Sequence, residues 1–346
     1  MTAKYIKHVL QFKIPGGTSR GVLSEKDTYF IVIEGDNKIG IGECGLLRGL
    51  SVDDRPDYEA TLVWVCKNIH LGKSELIKNL TEFPSIQFGI ETAFKSWEAE
   101  NPYELFPSEF TQGNGGISIN GLVWMGDEKF MKNQISEKLN NGFTTIKMKV
   151  GAIDFDTELK LLQSIRASFS AQDITLRLDA NGAFSFEEAK EKLNRLSELE
   201  IHSIEQPIKK GKWEEMAALC ETSPIPIALD EELIGVFSDN QKEKLISTVN
   251  PQYIILKPSL IGGFYASEKW ISIIEKNGGG WWMTSALESN IGLNAIAQFT
   301  YQKEVTMPQG LGTGSLYTNN IPSPLEVKQG TLYYNSNEKW NFSFIN

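Results

Sequence analysis

The sequence predicts an α/β fold in which a TIM-type barrel follows a smaller α+β domain. After Gly116, strand-like and helix-like stretches alternate in units of about 30 residues, the pattern of βαβ crossovers around a parallel sheet. Before it, a group of strand-like stretches precedes a group of helical ones, which is typical of a small α+β domain. At 346 residues the chain also exceeds one ordinary hydrophobic core, so a barrel with an added domain fits its length.

Residues 1–112 are expected to form the α+β domain. Alternation of apolar and polar side chains predicts strands at Tyr5–Ile14, Tyr29–Ile33 and Lys38–Cys44, and helical spacing predicts helices at Tyr58–Ile69, 73–80 and Pro84–Ala99. The loops at 15–21 and 45–50 are either plain surface connections or a lid over a site.

Residues 113–318 are expected to form the barrel, and residues 319–346 a hairpin-like tail that packs back on the first domain. The predicted barrel strands are Ile117–Val123, Thr144–Val150, Ile174–Asp179, Ile201–Glu205, Ile225–Leu229, Tyr253–Lys257 and Gly280–Thr284, with a last strand within Val305–Leu311. Helical stretches such as Phe155–Phe169 and Phe186–Leu199 lie between them.

Composition narrows the class of partner. A net charge of −10 and a pI near 5.1 argue against nucleic acid or an anionic membrane, which are bound mainly through clustered Lys and Arg, so a small molecule is expected. The three cysteines are far apart, which indicates neither a disulfide framework nor a zinc site and fits a reducing cytoplasm. Neither a signal peptide nor an apolar run of membrane-spanning length is evident. The sequence leaves open whether the protein forms a homo-oligomer.

Charged residues stand at the ends of consecutive predicted barrel strands. Lys149, Asp179, Glu205, Asp230 and Lys257 follow one another at intervals of 30, 26, 25 and 27 residues, each about one strand-helix unit. They should therefore occupy equivalent positions around the C-terminal rim, where active sites of this architecture lie.

The three acids suggest a metal site between two cationic strands. Carboxylates without a nearby His or Cys make an oxygen-only site that suits Mg²⁺ or Mn²⁺ better than zinc. Lys147 and Lys149 alternate onto the same strand face, and Lys257 ends an otherwise apolar strand. This arrangement suits proton abstraction next to a carboxylate, with the metal charge stabilising the enolate and a lysine moving the proton.

Some of these residues also have a plain structural interpretation. Asp179 could be a turn or helix-cap acid, and Asp230 could belong to the first turn of a helix. Glu205 before Gln-Pro has no capping explanation. His202, by alternation, faces the covering helices as a core histidine. The regular spacing of the five charged residues makes coincidence a poor account of the set.

The motifs around these residues resemble those of the enolase superfamily, in its muconate-lactonizing-like subgroup. The segments that carry the resemblance are Lys147-Met-Lys149, Leu178-Asp-Ala-Asn181, Ile204-Glu-Gln-Pro207, Leu229-Asp-Glu231 and Leu256-Lys-Pro258. The resemblance implies a (β/α)7β modified TIM barrel with an α+β capping domain formed by the N-terminal region and the C-terminal tail.

The resemblance also implies residue roles. Asp179, Glu205 and Asp230 would bind Mg²⁺, while Lys149 and Lys257 would flank the substrate as catalytic residues. Lys147, Arg177 and Asn181 would support them. Contacts to the substrate are expected from Ser19, Arg20, Leu47, Asn120, Ser285 and Glu288.

Within the subgroup, the segments Thr18–Gly21, Ile119–Gly126 and Ser285–Leu293 are similar to those of o-succinylbenzoate synthases. That similarity implies Mg-dependent syn dehydration of 2-succinyl-6-hydroxy-2,4-cyclohexadiene-1-carboxylate to 2-succinylbenzoate in menaquinone biosynthesis, through an enediolate. Racemases of N-succinylamino acids and dipeptide epimerases share both lysines and all three acids, so the motifs leave them as an alternative. A non-catalytic binding protein that kept the barrel is a remote alternative.

Overall fold

A computed structural model of the chain describes residues 1–18, 21–124 and 127–341. The N-terminal region forms a three-stranded antiparallel sheet in the order β1-β2-β3, followed by helices. Its elements are β1 (Thr2–Thr18), β2 (Gly21–Gly35), β3 (Lys38–Cys44), α1 (Tyr58–Lys67), α2 (Lys73–Lys78) and α3 (Pro84–Glu98). Asp36 and Asn37 adopt positive φ in the β2–β3 turn, as the Gly-Asp-Asn sequence predicts.

Helix α3 packs on β3 through glycines, because any side chain there would collide with the helix backbone. A Cβ added to Gly42 would lie 2.0 Å from the Gly89 carbonyl oxygen and 2.6 Å from Ala93 N. The close approach lets the apolar face of α3, including Ile86 and Ile90, reach the sheet.

Gly42→Ala should therefore lower the free energy of unfolding by about 3 kcal/mol or more, since neither backbone can retreat without disturbing the sheet. Urea unfolding followed by circular dichroism measures the loss. Gly312→Ala is the matched control, because its Cβ would come no closer than 3.3 Å to any atom. Equal stabilities of the two variants would contradict this packing account.

The second region contains seven parallel strands in sequential order, curled into a barrel. They are preceded by β4 (Gly116–Ser118), and their bounds are β5 (Gly121–Val123), β6 (Thr145–Lys149), β7 (Thr175–Asp179), β8 (Ser203–Glu205), β9 (Ile227–Leu229), β10 (Tyr253–Leu256) and β11 (Gly280–Met283). The predicted last strand is reduced to two bridging residues: Gln309 pairs with Ile119 and Gly310 with Thr284. These bridges join the two edges of the sheet, so the (β/α)7β barrel is confirmed.

Helices cover the outside of the barrel. Their bounds are α4 (Glu128–Asn140), α5 (Phe155–Ser168), α6 (Phe186–Leu196), α7 (Trp213–Thr222), α8 (Asp239–Val249), α9 (Pro258–Ile261), α10 (Gly263–Lys276) and α11 (Asn290–Tyr301). Ser185 and Ser238 start α6 and α8 with capping boxes, which satisfy free N–H groups at each helix start. In the described part of the chain, no helix has both the length and the apolar character needed to cross a membrane.

The region predicted as one strand at 117–123 divides between two sheets. Its first part, β4, pairs with β13 (Thr331–Tyr334), which also pairs with β12 (Leu325–Lys328), whereas β5 joins the barrel. In the C-terminal tail, Asn319 Oδ1 accepts a hydrogen bond at 2.8 Å from the backbone N–H of Gln11, a residue of β1. The tail therefore touches both regions, and the domain limits at 112 and 318 stay predictions.

Candidate active site

The charged residues predicted at strand ends meet at one rim of the barrel. Lys149 lies opposite Asp179 in the β6–β7 register, and Asp179 lies opposite Glu205 in the β7–β8 register. Asp230 and Lys257 directly follow β9 and β10. The strands thus bring all five side chains to the carboxyl ends of neighbouring strands, because parallel strands in register end at the same edge.

The lysines contact the acids directly. Lys147 donates hydrogen bonds to Glu205 and, at 3.0 Å, to Asp179 Oδ2. Lys149 Nζ lies 3.0 Å from the same Asp179 oxygen, and Lys257 Nζ lies 2.5 Å from Asp230 Oδ2. All three acids are at most 2% exposed. Buried carboxylates of this kind persist only when cations or hydrogen-bond donors compensate them.

The charges of the site shift the pKa values of Glu205, Asp179 and Lys147. Burial raises the pKa of Glu205 to about 7, since the lowering effect of Lys147 is offset by repulsion from Asp179 and Asp230. Burial would also raise the pKa of Asp179, but three lysines together hold it well below its usual range. For Lys147, burial favours a lower pKa, and the three acids outweigh it and raise the pKa.

Asn181 connects Lys149 to a further acid. Its Oδ1 accepts a hydrogen bond from Lys149 Nζ at 2.5 Å, and its Nδ2 donates to Glu231 Oε1 at 3.0 Å. The backbone of Asn181 has φ of 46°, a left-handed conformation that asparagine tolerates better than most residues. Its amide can therefore turn toward the lysine, so this predicted supporting residue lies at the site.

Sequence reasoning missed a buried network that holds the two acid-bearing loops together. Gln206 Oε1 accepts a hydrogen bond from Asp230 N at 3.2 Å, and its Nε2 donates to Glu232 Oε2 at 3.0 Å. Glu232 also accepts from Trp213 Nε1 at 2.8 Å. Gln206 links the backbone after Glu205 to that of Asp230, which fixes the spacing of these acids. The only indication of this network in the sequence is that a polar residue stands beside each of the two acids.

Arg177 lies one layer below the acids. It pairs in register with Lys147 and Ser203, is 1% exposed, and donates to the Pro308 carbonyl oxygen at 2.9 Å. Its guanidinium lies 4.1 Å from the centre of the Trp282 ring. Arg177 therefore stands under the site as part of the barrel floor, and its supporting role stays a prediction.

His202 does not face the covering helices as alternation predicts. Strand β8 begins only at Ser203, so the alternation does not extend to residue 202. The imidazole stacks on Tyr253 at 5.3 Å and contacts the edge of Trp282, and both rings belong to the cluster at the barrel floor. Burial, together with the charge of Arg177, lowers the pKa of His202 to about 4.

His202 should make the protein sensitive to acid. Its pKa is lower in the folded chain than the usual 6.5, so the unfolded chain binds more protons between pH 6.5 and 4 and stability falls as the pH falls through that window. We expect a loss of about 2 kcal/mol, measured by urea unfolding at pH 7 and 4.5. His202→Phe, which keeps the ring stacking, should lose less over the same interval. Equal losses would contradict the assignment.

The predicted substrate-contact residues fall into three groups. Ser19 and Arg20 lie outside the described residues. Leu47 and Asn120 are 9% and 7% exposed, Leu47 within the core that joins the two regions. Ser285 and Glu288 follow β11, where Ser285 Oγ donates to Glu288 Oε2 at 2.5 Å. Contact with a substrate stays a prediction for all six.

The acids also fit a hard cation. Within residues 1–18, 21–124 and 127–341, no three Asp, Glu, His or Cys side chains are placed to hold a metal ion together. Lysine ammonium groups contact Glu205 and Asp230. Glu205 Oε1, however, is buried and has no hydrogen-bond partner among the described residues. An unpaired buried acceptor costs about 1–3 kcal/mol, which a cation would recover. The oxygen-only donors and this unpaired atom match a magnesium-type site.

The comparisons with known proteins agree on one protein family. The enolase C-terminal domain-like family matches residues 131–337. The chain is 45% identical to an o-succinylbenzoate synthase of Desulfotalea psychrophila, over 96% of this chain and 98% of that protein. It is 30% identical to an L-Ala-D/L-Glu epimerase of Bacillus subtilis, over 77% and 74% of the two chains. A crystal structure of MenC from Desulfotalea psychrophila matches with a TM-score of 0.87 and 41% identity, over 96% and 99%.

Proposed function

The chain belongs to the enolase C-terminal domain-like family of the enolase superfamily, and from that premise we propose that it is an o-succinylbenzoate synthase. The observation that carries the proposal is 45% identity to such a synthase along nearly the whole of both chains. Two lysines on opposite sides of a carboxylate cluster support it, because they supply the base and the charge that the dehydration needs. The substrate is then 2-succinyl-6-hydroxy-2,4-cyclohexadiene-1-carboxylate.

Asp179, Glu205 and Asp230 are the residues that would hold Mg²⁺. Their oxygen-only donors, and the unpaired Glu205 Oε1, support this assignment. When bound, the metal ion supplies a fixed positive charge that stabilises negative charge on the substrate carboxylate. Mn²⁺ prefers similar ligands and is a candidate substitute.

Lys149 is the proposed base. Its neutral amine removes the proton next to the substrate carboxylate, and the electrons of the broken C–H bond form an enediolate. The resulting ammonium then gives the proton to the departing hydroxyl on the same face, so the C–O bond breaks and water leaves as the ring becomes aromatic. Asn181 Oδ1, at 2.5 Å, holds Nζ in one orientation for both transfers.

Lys257 is the proposed electrostatic partner. Its Nζ contacts Asp230 and keeps its charge, since burial lowers the pKa of Lys257 but Asp230 and Glu231 raise it above the usual value. A permanent ammonium at this side of the site stabilises the enediolate without moving a proton. Lys147, more deeply buried between Asp179 and Glu205, would tune the acids rather than touch the substrate.

Product formation tests the proposal. Purified protein with Mg²⁺ should convert the cyclohexadiene to the aromatic 2-succinylbenzoate, followed by ultraviolet absorbance and by proton NMR of the product. Lys190→Ala, which changes an exposed lysine of α6, is a control that should retain full activity. A folded, Mg-binding protein without conversion would refute the proposal.

Epimerisation of dipeptides is the second candidate function, favoured by the 30% identity to the Bacillus subtilis epimerase. An epimerase needs a base on each face of the substrate. Lys149 ends β6 and Lys257 follows β10, so the two lysines flank the three acids along the sheet and could supply those bases. In D₂O an epimerase incorporates deuterium at the α-carbon of L-Ala-L-Glu or of an N-succinylamino acid. Rapid incorporation without dehydration activity would favour this function.

A further inference from the structure

Lys26 lies on β2 of the N-terminal sheet and carries a buried ammonium group. The residue pairs with Leu10 of β1 and is only 3% exposed. Among the residues that the structure describes, its Nζ has no hydrogen-bond partner. A buried lysine without compensation costs several kcal/mol, roughly, so nearby negative charge has to stabilise it.

Two buried glutamates supply that charge. Burial lowers the pKa of Lys26 below its usual value, and Glu43 and Glu288 are the main groups that oppose this shift. Glu43 belongs to β3, and Thr28, which is on the same face of β2 as Lys26, donates to its Oε1 at 2.7 Å. Glu288 follows β11 in the barrel. Both carboxylates are 0% exposed.

The two glutamates come together beside Gly292. A Cβ added to Gly292 would lie 2.8 Å from Glu288 Cβ and 2.9 Å from Glu43 Oε2, so only a glycine leaves room for both side chains. Burial, with a further contribution from the charge of Glu43, raises the pKa of Glu288. Neighbouring buried carboxylates repel each other unless a cation balances them. Lys26 projects from the same face of β2 as Thr28, the hydroxyl donor to Glu43, and its charge interacts with both glutamates.

Each glutamate holds a part of the barrel rim. Glu288 accepts hydrogen bonds from Ser285 Oγ at 2.5 Å and from Ser259, which lies two residues after Lys257. Glu43 accepts from Ser289 N and from Gly292 N, both at 2.8 Å, at the start of α11. The cluster therefore connects the N-terminal sheet to the segments that carry Lys257 and Ser285.

We infer that Lys26 is a positioning residue for the proposed active site: its ammonium balances Glu43 and Glu288 and thereby fixes the Lys257–Ser259 segment and Ser285 against the N-terminal sheet. Lys26 acts through these residues and does not touch the substrate. The inference rests on the proposed function only for its kinetic readout, because the charge balance itself is measurable in the folded protein without substrate.

Removal of the charge is the first test. Lys26→Met keeps the length of the aliphatic stem and should lower kcat/KM by about 10- to 100-fold, mainly through kcat, because a misplaced rim affects the reacting groups more than substrate capture. Lys26→Arg keeps the charge and should recover activity to within about threefold. Lys242→Met is the matched control, since Lys242 is equally buried but lies on α8 outside the barrel. It should leave kcat unchanged.

The double variant separates charge balance from packing. If Lys26 balances Glu288, then Lys26→Met combined with Glu288→Gln should lose less Tm than the two single losses added together. Additive Tm losses, or a Lys26→Arg protein as impaired as Lys26→Met, would overturn the inference. If Lys26→Met alone does not fold, a folded double variant supports it and an unfolded one overturns it. Wild-type protein without synthase activity would refute the proposed function, while the Tm comparison still decides the role of Lys26.

Discussion

Lys149→Ala is expected to abolish formation of 2-succinylbenzoate, with kcat lowered by about 10³-fold or more. The amine that the substitution removes is the one group in the proposal that both takes the proton and returns it to the leaving hydroxyl. Its neighbours cannot replace it: Lys147 is held between Asp179 and Glu205, which keep it charged, and Asn181 has no proton-accepting amine. Steady-state kinetics with the cyclohexadiene substrate measure the loss.

Two comparisons make the Lys149 result specific. Lys257→Ala should lower kcat less, by about 10²-fold to 10³-fold, because its charge stabilises the intermediate without transferring the proton. Far-ultraviolet circular dichroism should show that both variants are folded. Lys149→Ala protein that keeps more than a tenth of wild-type kcat would exclude Lys149 as the base.

Glu205→Gln is expected to weaken Mg²⁺ binding by about 100-fold or more, with a matching loss of activity at fixed Mg²⁺. Glu205 lies between Asp179 and Asp230, and one of its buried oxygens has no hydrogen-bond partner in the part of the chain that the structure describes. It is therefore the acid that gains most from a cation. The amide keeps the shape and removes the charge. Isothermal titration with MgCl₂ measures binding without reference to turnover.

Glu221→Gln is the control for the metal experiment, because Glu221 is an exposed carboxylate on α7. Its affinity for Mg²⁺ should equal that of the wild type. The pKa of Glu205, about 7, adds a second expectation: binding should weaken as the pH falls below 7, since a proton then competes for the same carboxylate. Glu205→Gln protein that binds Mg²⁺ as tightly as the wild type would remove Glu205 from the ligand set.

The rim of charged residues could be predicted from the sequence because its physical basis is periodic. A parallel strand and its covering helix take about 30 residues, so charges spaced at that interval return to the same edge. Alternation along β6 then places Lys147 and Lys149 on one face, and the observed register sets Lys149 beside Asp179. Position along the strand and direction of the side chain both follow from local rules.

Predictions failed where a strand began or ended at an unexpected residue. Alternation extended beyond Ser203, the first residue of β8, predicts that His202 faces outward, and this prediction is wrong. The pattern of 117–123 predicts one strand, but the backbone passes from one sheet to another between Ser118 and Gly121. Local sequence patterns do not show where these strands begin and end. Pairing of β4 with β13 and of β5 with β6 in the folded chain sets those limits.

Contacts between distant segments could not be predicted at all. Glu43 accepts a hydrogen bond from Ser289 N, 246 residues later in the chain, and Glu91 of α3 accepts one from Phe264 N at the start of α10 at 2.5 Å. Each glutamate stands in a different element of the N-terminal region, and nothing in their neighbouring residues indicates the helix that they meet. The attachment of this region to the barrel is therefore visible only in the folded chain.

The ratio of two activities in one protein preparation tests the central claim most directly. The value of kcat/KM for dehydration of the cyclohexadiene, divided by that for epimerisation of L-Ala-L-Glu, should be measured with the same Mg²⁺-loaded protein. An o-succinylbenzoate synthase should favour dehydration by at least about 100-fold. A ratio at or below one would contradict the proposed function and identify the two opposed lysines as the bases of an epimerase.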